Sequence, residues 1–261
     1  MGRFKAVVFD WAGTTIDYGS FAPAAAFREA FARFDIETSI DEARAPMGLP
    51  KWKHIEAMLA APATAARWQA RYGALPTSAD VERIYEVFVP LNEEVAAHHA
   101  DLVPGTLDCI AWLRARGFKI GSTTGYTRSI MAKVVPVAAA AGYAPDNLVC
   151  SDDLKEGRPG PLGMYQCFVD LAVYPPQQVI KVDDTAPGLA EGVAAGALAV
   201  GVALSGNEVG LTPQEVAALD TASRAELRAA AGAKLKAAGA AYVIDTVADL
   251  PALIEKLEAG G

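Results

Sequence analysis

Short and almost uninterrupted apolar runs alternate along this 261-residue chain with stretches of helical periodicity. The runs fall at 6–9, 118–122, 147–150, 179–182, 197–202 and 242–244. Because consecutive positions are apolar, rather than alternate ones, these runs predict strands that are buried on both faces of a parallel sheet. We therefore expect an α/β fold, with a Rossmann-like doubly wound parallel sheet covered by helices on both sides.

A long helical interval separates the first two predicted strands, and it exceeds by far the dozen or so residues that a crossover between parallel strands needs. Helical periodicity in this interval covers 21–34, 51–60 and 79–97. We predict an inserted α-helical cap domain at 21–99 and an α/β core domain made of 1–20 and 100–261. The hinges between them should lie near 18–20 and 100–105.

Charge and cysteine content exclude several classes of function. A formal net charge of -8 argues against nucleic acid as a partner, because binding to a phosphate backbone draws on clustered Lys and Arg. Cys109, Cys150 and Cys167 are widely spaced and odd in number, which predicts buried thiols rather than a disulfide framework or a zinc site. No leader or membrane-spanning run is evident, so we expect a cytoplasmic protein without membrane contact.

Polar residues follow the apolar runs at the edge where a parallel sheet collects its ligands. Asp10 follows the first run, Thr123 and Thr124 follow the second, and Asp183 and Asp184 follow the run at 179–182. Each has an ordinary alternative, since a lone strand-end Asp often caps a helix or a turn. Together they supply a carboxylate nucleophile, an anion cradle and the oxygen ligands that Mg²⁺ prefers.

Two cations and a histidine lie further along the chain. Lys51 starts a predicted helix after Pro50, and His54 falls on the same helical face three residues later. Taken alone, Lys51 would be a solvated surface lysine like Lys53. Arg158 would likewise be a solvated loop charge, although its place in the chain suits a cation held against phosphate oxygens.

The order of these residues resembles the haloacid dehalogenase superfamily: an Asp after the first strand, Ser or Thr after the second, a cation further on and then paired acids. Within that superfamily the chain resembles the phosphonatase family over essentially its whole length. The likeness rests on FDWAGTTIDYG from Phe9, PMGLPKWKH from Pro46 and IGSTTGYTR from Ile120. It implies a HAD-like core with an inserted cap, a Mg²⁺ cofactor, a small-molecule phosphonate substrate and a homodimer.

The resemblance also implies three groups of site residues. The catalytic group comprises the nucleophile, the Schiff-base lysine and a proton carrier, namely Asp10, Lys51 and His54. The metal ligands are Asp10, the backbone carbonyl of Ala12, and Asp184. The substrate contacts are Thr124 and Arg158 at the phosphonate and Met47, Gly48 and Tyr126 around the aldehyde.

Ala12 stands where a phosphate-ester hydrolase of this superfamily carries a second aspartate, the proton donor for a departing alkoxide. Cleavage of a carbon–phosphorus bond expels a carbanion instead, and a protonated imine at Lys51 would accept its electrons. The resemblance therefore implies hydrolysis of phosphonoacetaldehyde to acetaldehyde and phosphate, through a Lys Schiff base and an aspartyl phosphate, in organophosphonate (2-aminoethylphosphonate) degradation. Two alternatives are a phosphatase or phosphomutase in which Lys51 merely binds an anion, and a non-catalytic phosphoanion-binding protein.

Two further features leave alternatives open. Gly188 stands where some relatives place another acid near the metal, and Asp183 could supply that support instead. Trp52 and Met58 lie in an aromatic and Met-rich part of the predicted cap, which suits either a dimer contact or the interior of the cap.

Overall fold

A five-stranded parallel sheet organises the computed structural model, which describes residues 2–259. The spatial order is β2-β1-β3-β4-β5. The strands are β1 (Ala6–Phe9), β2 (Lys119–Ser122), β3 (Val179–Asp183), β4 (Leu198–Val202) and β5 (Tyr242–Ile244). The predicted α/β fold with a doubly wound parallel sheet is confirmed.

The register of the sheet aligns the carboxyl ends of its central strands. Phe9 in β1 pairs with Ser122 in β2 on one side and with Val182 in β3 on the other. Side chains along β1 and β3 are buried throughout, as continuous apolar strands between two helical layers require. Asp10 and Asp183 therefore emerge at one edge of the sheet.

Twelve α-helices lie within residues 2–259. Five fall between β1 and β2, namely α1 (Phe21–Ala32), α2 (Ile40–Arg44), α3 (Lys51–Ala60), α4 (Pro62–Tyr72) and α5 (Ser78–His98). The others flank the sheet, namely α6 (Thr106–Ala115), α7 (Arg128–Ala140), α8 (Leu162–Leu171), α9 (Ala186–Ala194), α10 (Pro213–Ala218), α11 (Thr221–Ala237) and α12 (Leu250–Ala259). No helix in the described part of the chain combines the length and the apolar character needed to cross a bilayer.

The five helices α1–α5, called here the helical insert, have a hydrophobic core of their own. Phe27, Ile55 and Phe88 are fully buried within it, and Met58 is 2% exposed. Met58 thus belongs to the interior of the insert, while Trp52 is half-buried at its edge. A separate core is what an inserted domain needs for independent stability. Motion of the insert as a cap stays a prediction.

The strand predicted at 147–150 is wrong. In place of a strand, this segment forms one isolated parallel bridge, between Thr123 and Val149. Side chains replace backbone groups in the bonds beside this bridge. Asn147 Oδ1 accepts from the backbone N–H of Ser122 in β2 (3.1 Å), and the Ser122 hydroxyl donates to the carbonyl of Asn147 (2.8 Å). Side-chain bonding to a backbone in this way competes with a regular ladder. The three cysteines are buried free thiols, as predicted.

Candidate active site

Asp10 is held at the end of β1 by a tight loop. Its backbone N–H donates to the carbonyl of Val182 (2.9 Å), which continues the pairing with β3. The backbone N–H groups of Thr14 and Thr15 both donate to the carbonyl of Trp11, and the Thr15 hydroxyl donates back to the Asp10 carbonyl (3.0 Å). The loop therefore closes on itself, and Asp10 is 6% exposed at the floor of a cavity.

Three buried carboxyl groups meet at this point. Oxygen atoms of Asp10, Asp183 and Asp184 all lie within 4.8 Å of one another. Asp184 accepts from the Thr14 hydroxyl (3.1 Å) and from the backbone N–H of Asn207 (2.7 Å), which fix both of its oxygens. Burial, with the charges of Asp10 and Asp183, raises the pKa of Asp184 well above its usual range. A buried set of oxygen donors with excess negative charge fits a hard divalent cation.

Arg158 lies across the acidic cluster and is itself buried. Its Nη2 atom is 2.9 Å from Asp10 Oδ1 and 3.3 Å from Asp183 Oδ2. Its Nε atom donates to Glu191 Oε2 (3.1 Å), which orients the plane of the guanidinium. The predicted cation thus faces the predicted nucleophile directly.

Lys181 is a second buried cation, and the sequence interpretation missed it. Its Nζ atom donates to Thr123 Oγ1 (2.6 Å) and lies 3.1 Å from Asp183 Oδ2 and 3.4 Å from Glu191 Oε2. The available signal was a lone lysine inside the apolar run of β3, because a charge on a doubly covered strand must find buried partners. Glu191, in α9, gave no comparable signal.

Arg158 and Lys181 affect the pKa values of Asp10 and Asp183 to different extents. Burial and the neighbouring Asp183 raise the pKa of Asp10 to about 6, although Arg158 and Lys181 act in the opposite direction. Burial would also raise the pKa of Asp183, but Arg158, Lys181 and hydrogen bonds outweigh it and lower that pKa below its ordinary value. Asp183 is thus ionised and pairs with Arg158 and Lys181, whereas a bound cation would stabilise the ionised forms of Asp10 and Asp184.

Lys51, the first residue of α3, enters the same cavity from the helical insert and is 3% exposed. Its Nζ atom lies 4.8 Å from the ring centre of Tyr126 and 5.4 Å from that of Phe27. Burial lowers the pKa of Lys51 to about 7, with Asp10 opposing and Arg158 assisting the shift. A substantial fraction of this amine is therefore neutral, and hence nucleophilic, near neutral pH.

His54 lies behind Lys51 rather than on the wall of the cavity. Its ring stacks on Phe27 with centres 3.6 Å apart, and Nε2 is 2.9 Å from the carbonyl of Ala43. Since a carbonyl only accepts, Nε2 carries the proton and Nδ1 carries the lone pair. Burial and the charge of Lys51 lower the pKa of His54 well below its ordinary value, so the ring is neutral.

Eight of the ten predicted site residues line one cavity between the insert and the sheet. They are Asp10, Ala12, Met47, Gly48, Lys51, Thr124, Tyr126 and Arg158. Asp184 adjoins Asp10, and His54 stands one layer back. The structure thus brings the predicted residues together, and their individual roles stay predictions.

The loop that begins at Gly48 lies directly on the sheet-end loops. A Cβ atom at Gly48 would lie 2.2 Å from Thr185 Oγ1, and one at Gly125 would lie 3.1 Å from a backbone oxygen of the insert loop. A Cβ atom at Gly157 would lie 2.8 Å from the Pro50 ring. Glycine at these positions permits the close approach, so the insert is closed over Asp10.

Asp183 fills the space beside Gly188. A Cβ atom at Gly188 would lie 1.9 Å from Asp183 Oδ2. The other oxygen of Asp183 accepts from the backbone N–H (3.0 Å) and the hydroxyl (2.8 Å) of Thr185, where α9 begins. The Asp183 carboxylate therefore occupies the volume that an acidic side chain at position 188 would need.

Such a sheet, with an acid after its first strand and paired acids at the end of β3, defines a haloacid dehalogenase-like hydrolase, and the model of that family matches residues 4–196. The chain is 50% identical over 259 residues to the phosphonoacetaldehyde hydrolase of Paraburkholderia phytofirmans, covering 99% of this chain and 97% of the relative. It is also 50% identical over 261 residues to that of Klebsiella pneumoniae, with the same coverage.

A solved structure shows the same likeness in three dimensions. The crystal structure of a phosphonoacetaldehyde hydrolase-like protein from Oleispira antarctica matches with a TM-score of 0.96 and 40% identity, covering 99% of this chain and 94% of that one. The chain belongs to the phosphonoacetaldehyde hydrolase family of haloacid dehalogenase-like hydrolases. The family predicted from the three motifs is confirmed.

Proposed function

We propose that this chain hydrolyses the carbon–phosphorus bond of phosphonoacetaldehyde to acetaldehyde and phosphate, with Lys51 as the imine-forming amine and Asp10 as the nucleophile. The observation that carries the proposal is the shared cavity, which receives a buried amine from the helical insert and a carboxylate from the sheet. Ala12 lines the same cavity where an ester hydrolase would present an acid. The protonated imine that an amine forms with an aldehyde can serve as an electron sink, which a carbanion requires and an alkoxide does not.

Imine formation is the first step. Neutral Lys51 adds to the aldehyde carbon, and loss of water leaves a protonated imine two carbons from phosphorus. The pKa of Lys51, lowered to about 7 by burial, keeps much of the amine available. His54 is proposed to carry the proton from the amine to the departing hydroxyl, and its neutral ring with an unprotonated Nδ1 supports this role.

Transfer of the phosphoryl group follows. Asp10 attacks phosphorus, the carbon–phosphorus bond breaks, and its electrons pass into the protonated imine to give an enamine. Arg158, 2.9 Å from Asp10, and Thr124 on the cavity wall would hold the phosphoryl oxygens during this step. Water then cleaves the aspartyl phosphate, and protonation of the enamine at carbon followed by hydrolysis of the imine releases acetaldehyde and restores Lys51.

The acidic cluster is proposed to hold Mg²⁺ through Asp10, Asp184 and the backbone carbonyl of Ala12. When bound, the ion would neutralise charge on the phosphonate oxygens and so favour attack by an anion. The raised pKa values of Asp10 and Asp184 support this assignment, because they reflect burial first and then the charges of neighbouring carboxyl groups. Asp183 instead forms ion pairs with Lys181 and Arg158.

The helical insert is proposed to act as a cap domain, at 21–99, that opens at 18–20 and 100–105 to admit substrate. Closure brings Lys51 over Asp10 and excludes water that would hydrolyse intermediates early. We also propose a homodimer, in keeping with the resemblance described above, and light scattering of the purified protein measures this directly.

Phosphate release by two variants separates the proposal from its alternatives. Asp10→Asn and Lys51→Ala should each lower turnover of phosphonoacetaldehyde by at least about a hundredfold, because each removes a group that makes a covalent bond. Lys53→Ala, which removes an exposed lysine two residues away, should leave turnover unchanged. Unchanged turnover by Lys51→Ala would indicate a phosphatase, and no turnover by the wild-type protein would indicate a binding protein.

A further inference from the structure

Arg44, the last residue of α2, bridges the helical insert to two loops of the sheet domain. Its Nη1 atom donates to the carbonyl of Gly19 (2.7 Å) and lies 3.1 Å from the carbonyl and 3.2 Å from Oδ1 of Asn207. Asn207 Nδ2 donates in return to the backbone carbonyl of Arg44 (3.3 Å). Arg44 precedes Met47 by three residues, so this contact stands at the base of the loop that enters the cavity.

The loop that Arg44 contacts also holds an acid of the site. The backbone N–H of Asn207 donates to Asp184 Oδ2 (2.7 Å), and a Cβ atom at Gly206 would lie 2.6 Å from Asp184 Cβ. The guanidinium fits closely on this loop, because a Cβ atom at Gly210 would lie 2.7 Å from Arg44 Cζ. Arg44 therefore packs directly against the loop that holds Asp184.

We propose that Arg44 is a positioning residue, a latch that holds the helical insert closed by binding Gly19 and Asn207 at once. The inference rests on the proposed function in one respect, namely that closure is what brings Lys51 over Asp10. The contacts to Asn207 join the insert to a loop that follows β4, so opening must break them.

The chemistry of the guanidinium suits a latch better than an ammonium would. The Nη1 atom alone reaches acceptors on both loops, and the planar guanidinium fixes its N–H directions, whereas lysine offers a compact charge on a flexible stem. Hydrogen bonds from a charged donor are about twice as strong as neutral ones. Loss of these bonds should therefore shift the balance toward the open form by roughly tenfold or more.

Labelling of lysines by an amine-reactive reagent tests the latch without relying on catalysis. Lys51 is 3% exposed beneath the closed insert, whereas Lys181 is fully buried in β3 and independent of the insert. Peptide mass spectrometry should find Lys51 labelled roughly tenfold faster in Arg44→Ala than in the wild-type protein, with Lys181 unchanged. Arg44→Lys should be intermediate, and Arg33→Ala, which removes an exposed ion pair on the insert, should match the wild type.

Kinetics supply the second arm of the test. Arg44→Ala should lower kcat/KM for phosphonoacetaldehyde by a similar factor. Adding Asn207→Ala should lower kcat/KM further, because Asn207 Nδ2 still donates to the backbone carbonyl of residue 44 when the guanidinium is gone. The latch is refuted if Lys51 labelling stays at the wild-type rate, or if Lys51 and Lys181 become reactive together, which would indicate general destabilisation. Selective exposure of Lys51 in a protein that does not turn over phosphonoacetaldehyde would uphold the latch and refute the proposed function.

Discussion

Replacement of Gly48 by alanine should impair activity far more than the same replacement of Gly73, which provides a matched control. Both residues have left-handed backbone angles, with φ of +92° and +80°, so an alanine at either position costs about 1–2 kcal/mol. Nothing lies within 4 Å of a Cβ atom at Gly73. At Gly48 that atom would lie 2.2 Å from Thr185 Oγ1 and 2.8 Å from Thr185 Cβ.

To relieve the clash at Gly48, the insert loop or Thr185 must move by about 1 Å. A misplacement of that size near the reacting groups lowers the rate by about a hundredfold. That factor corresponds to about 2.7 kcal/mol on the barrier. Phosphate release and thermal unfolding of both variants provide the assay. We expect Gly48→Ala to be somewhat less stable than Gly73→Ala, because relief of the clash adds to the backbone cost. A large loss of kcat/KM is expected in Gly48→Ala alone. Activities within about twofold of each other would refute the close-approach reasoning.

Three further predictions concern buried charge. Urea unfolding should find Lys181→Met about 3–5 kcal/mol less stable, since it leaves carboxylates buried without their cation, whereas Lys53→Met, which loses an exposed pair, should change by less than about 1 kcal/mol. Lys51→Met should raise the unfolding temperature more at pH 6 than at pH 9. The pKa of Lys51 is about 7 in the folded protein and 10.5 for an ordinary lysine, so between these values the unfolded state binds more protons. Wild-type stability therefore rises with pH over this range, and the benefit of removing the lysine falls. Asp184→Asn should stabilise the protein in EDTA and abolish the rise in unfolding temperature that Mg²⁺ gives the wild type, and an equal rise in both would contradict the metal site.

Most of the fold could be predicted because its elements have strong local patterns. Continuous apolar runs marked β1 and β3, and the helix at 51–60 begins and ends as predicted, directly after Pro50. The segment at 147–150 misled because its apolar residues are typical of a strand, while Asn147 diverts the neighbouring backbone bonds to its side chain. The helix α4 (Pro62–Tyr72) was not predicted because only a few of its side chains, such as Trp68, are buried, which leaves little apolar periodicity in the sequence.

The site was predictable in part, for a different reason. Acids at strand ends indicate a ligand edge from topology alone, so Asp10 and Asp184 could be proposed from the residues themselves. Placement of Lys51 opposite Asp10 depends on the fold of the whole helical insert, and only the resemblance to a known family supplied it. Glu191 was missed because its importance lies in contacts between distant elements, which no local pattern records. Lys181 was missed although a lone lysine inside an apolar strand was a local signal.

Reductive trapping with borohydride tests amine catalysis most directly. In the presence of phosphonoacetaldehyde, mass spectrometry of the reduced protein should find a two-carbon adduct on the peptide that contains Lys51. In Asp10→Asn the imine should form without cleavage of the carbon–phosphorus bond, so the trapped adduct should retain phosphorus. An unmodified Lys51 in protein that continues to release phosphate would contradict the proposed mechanism.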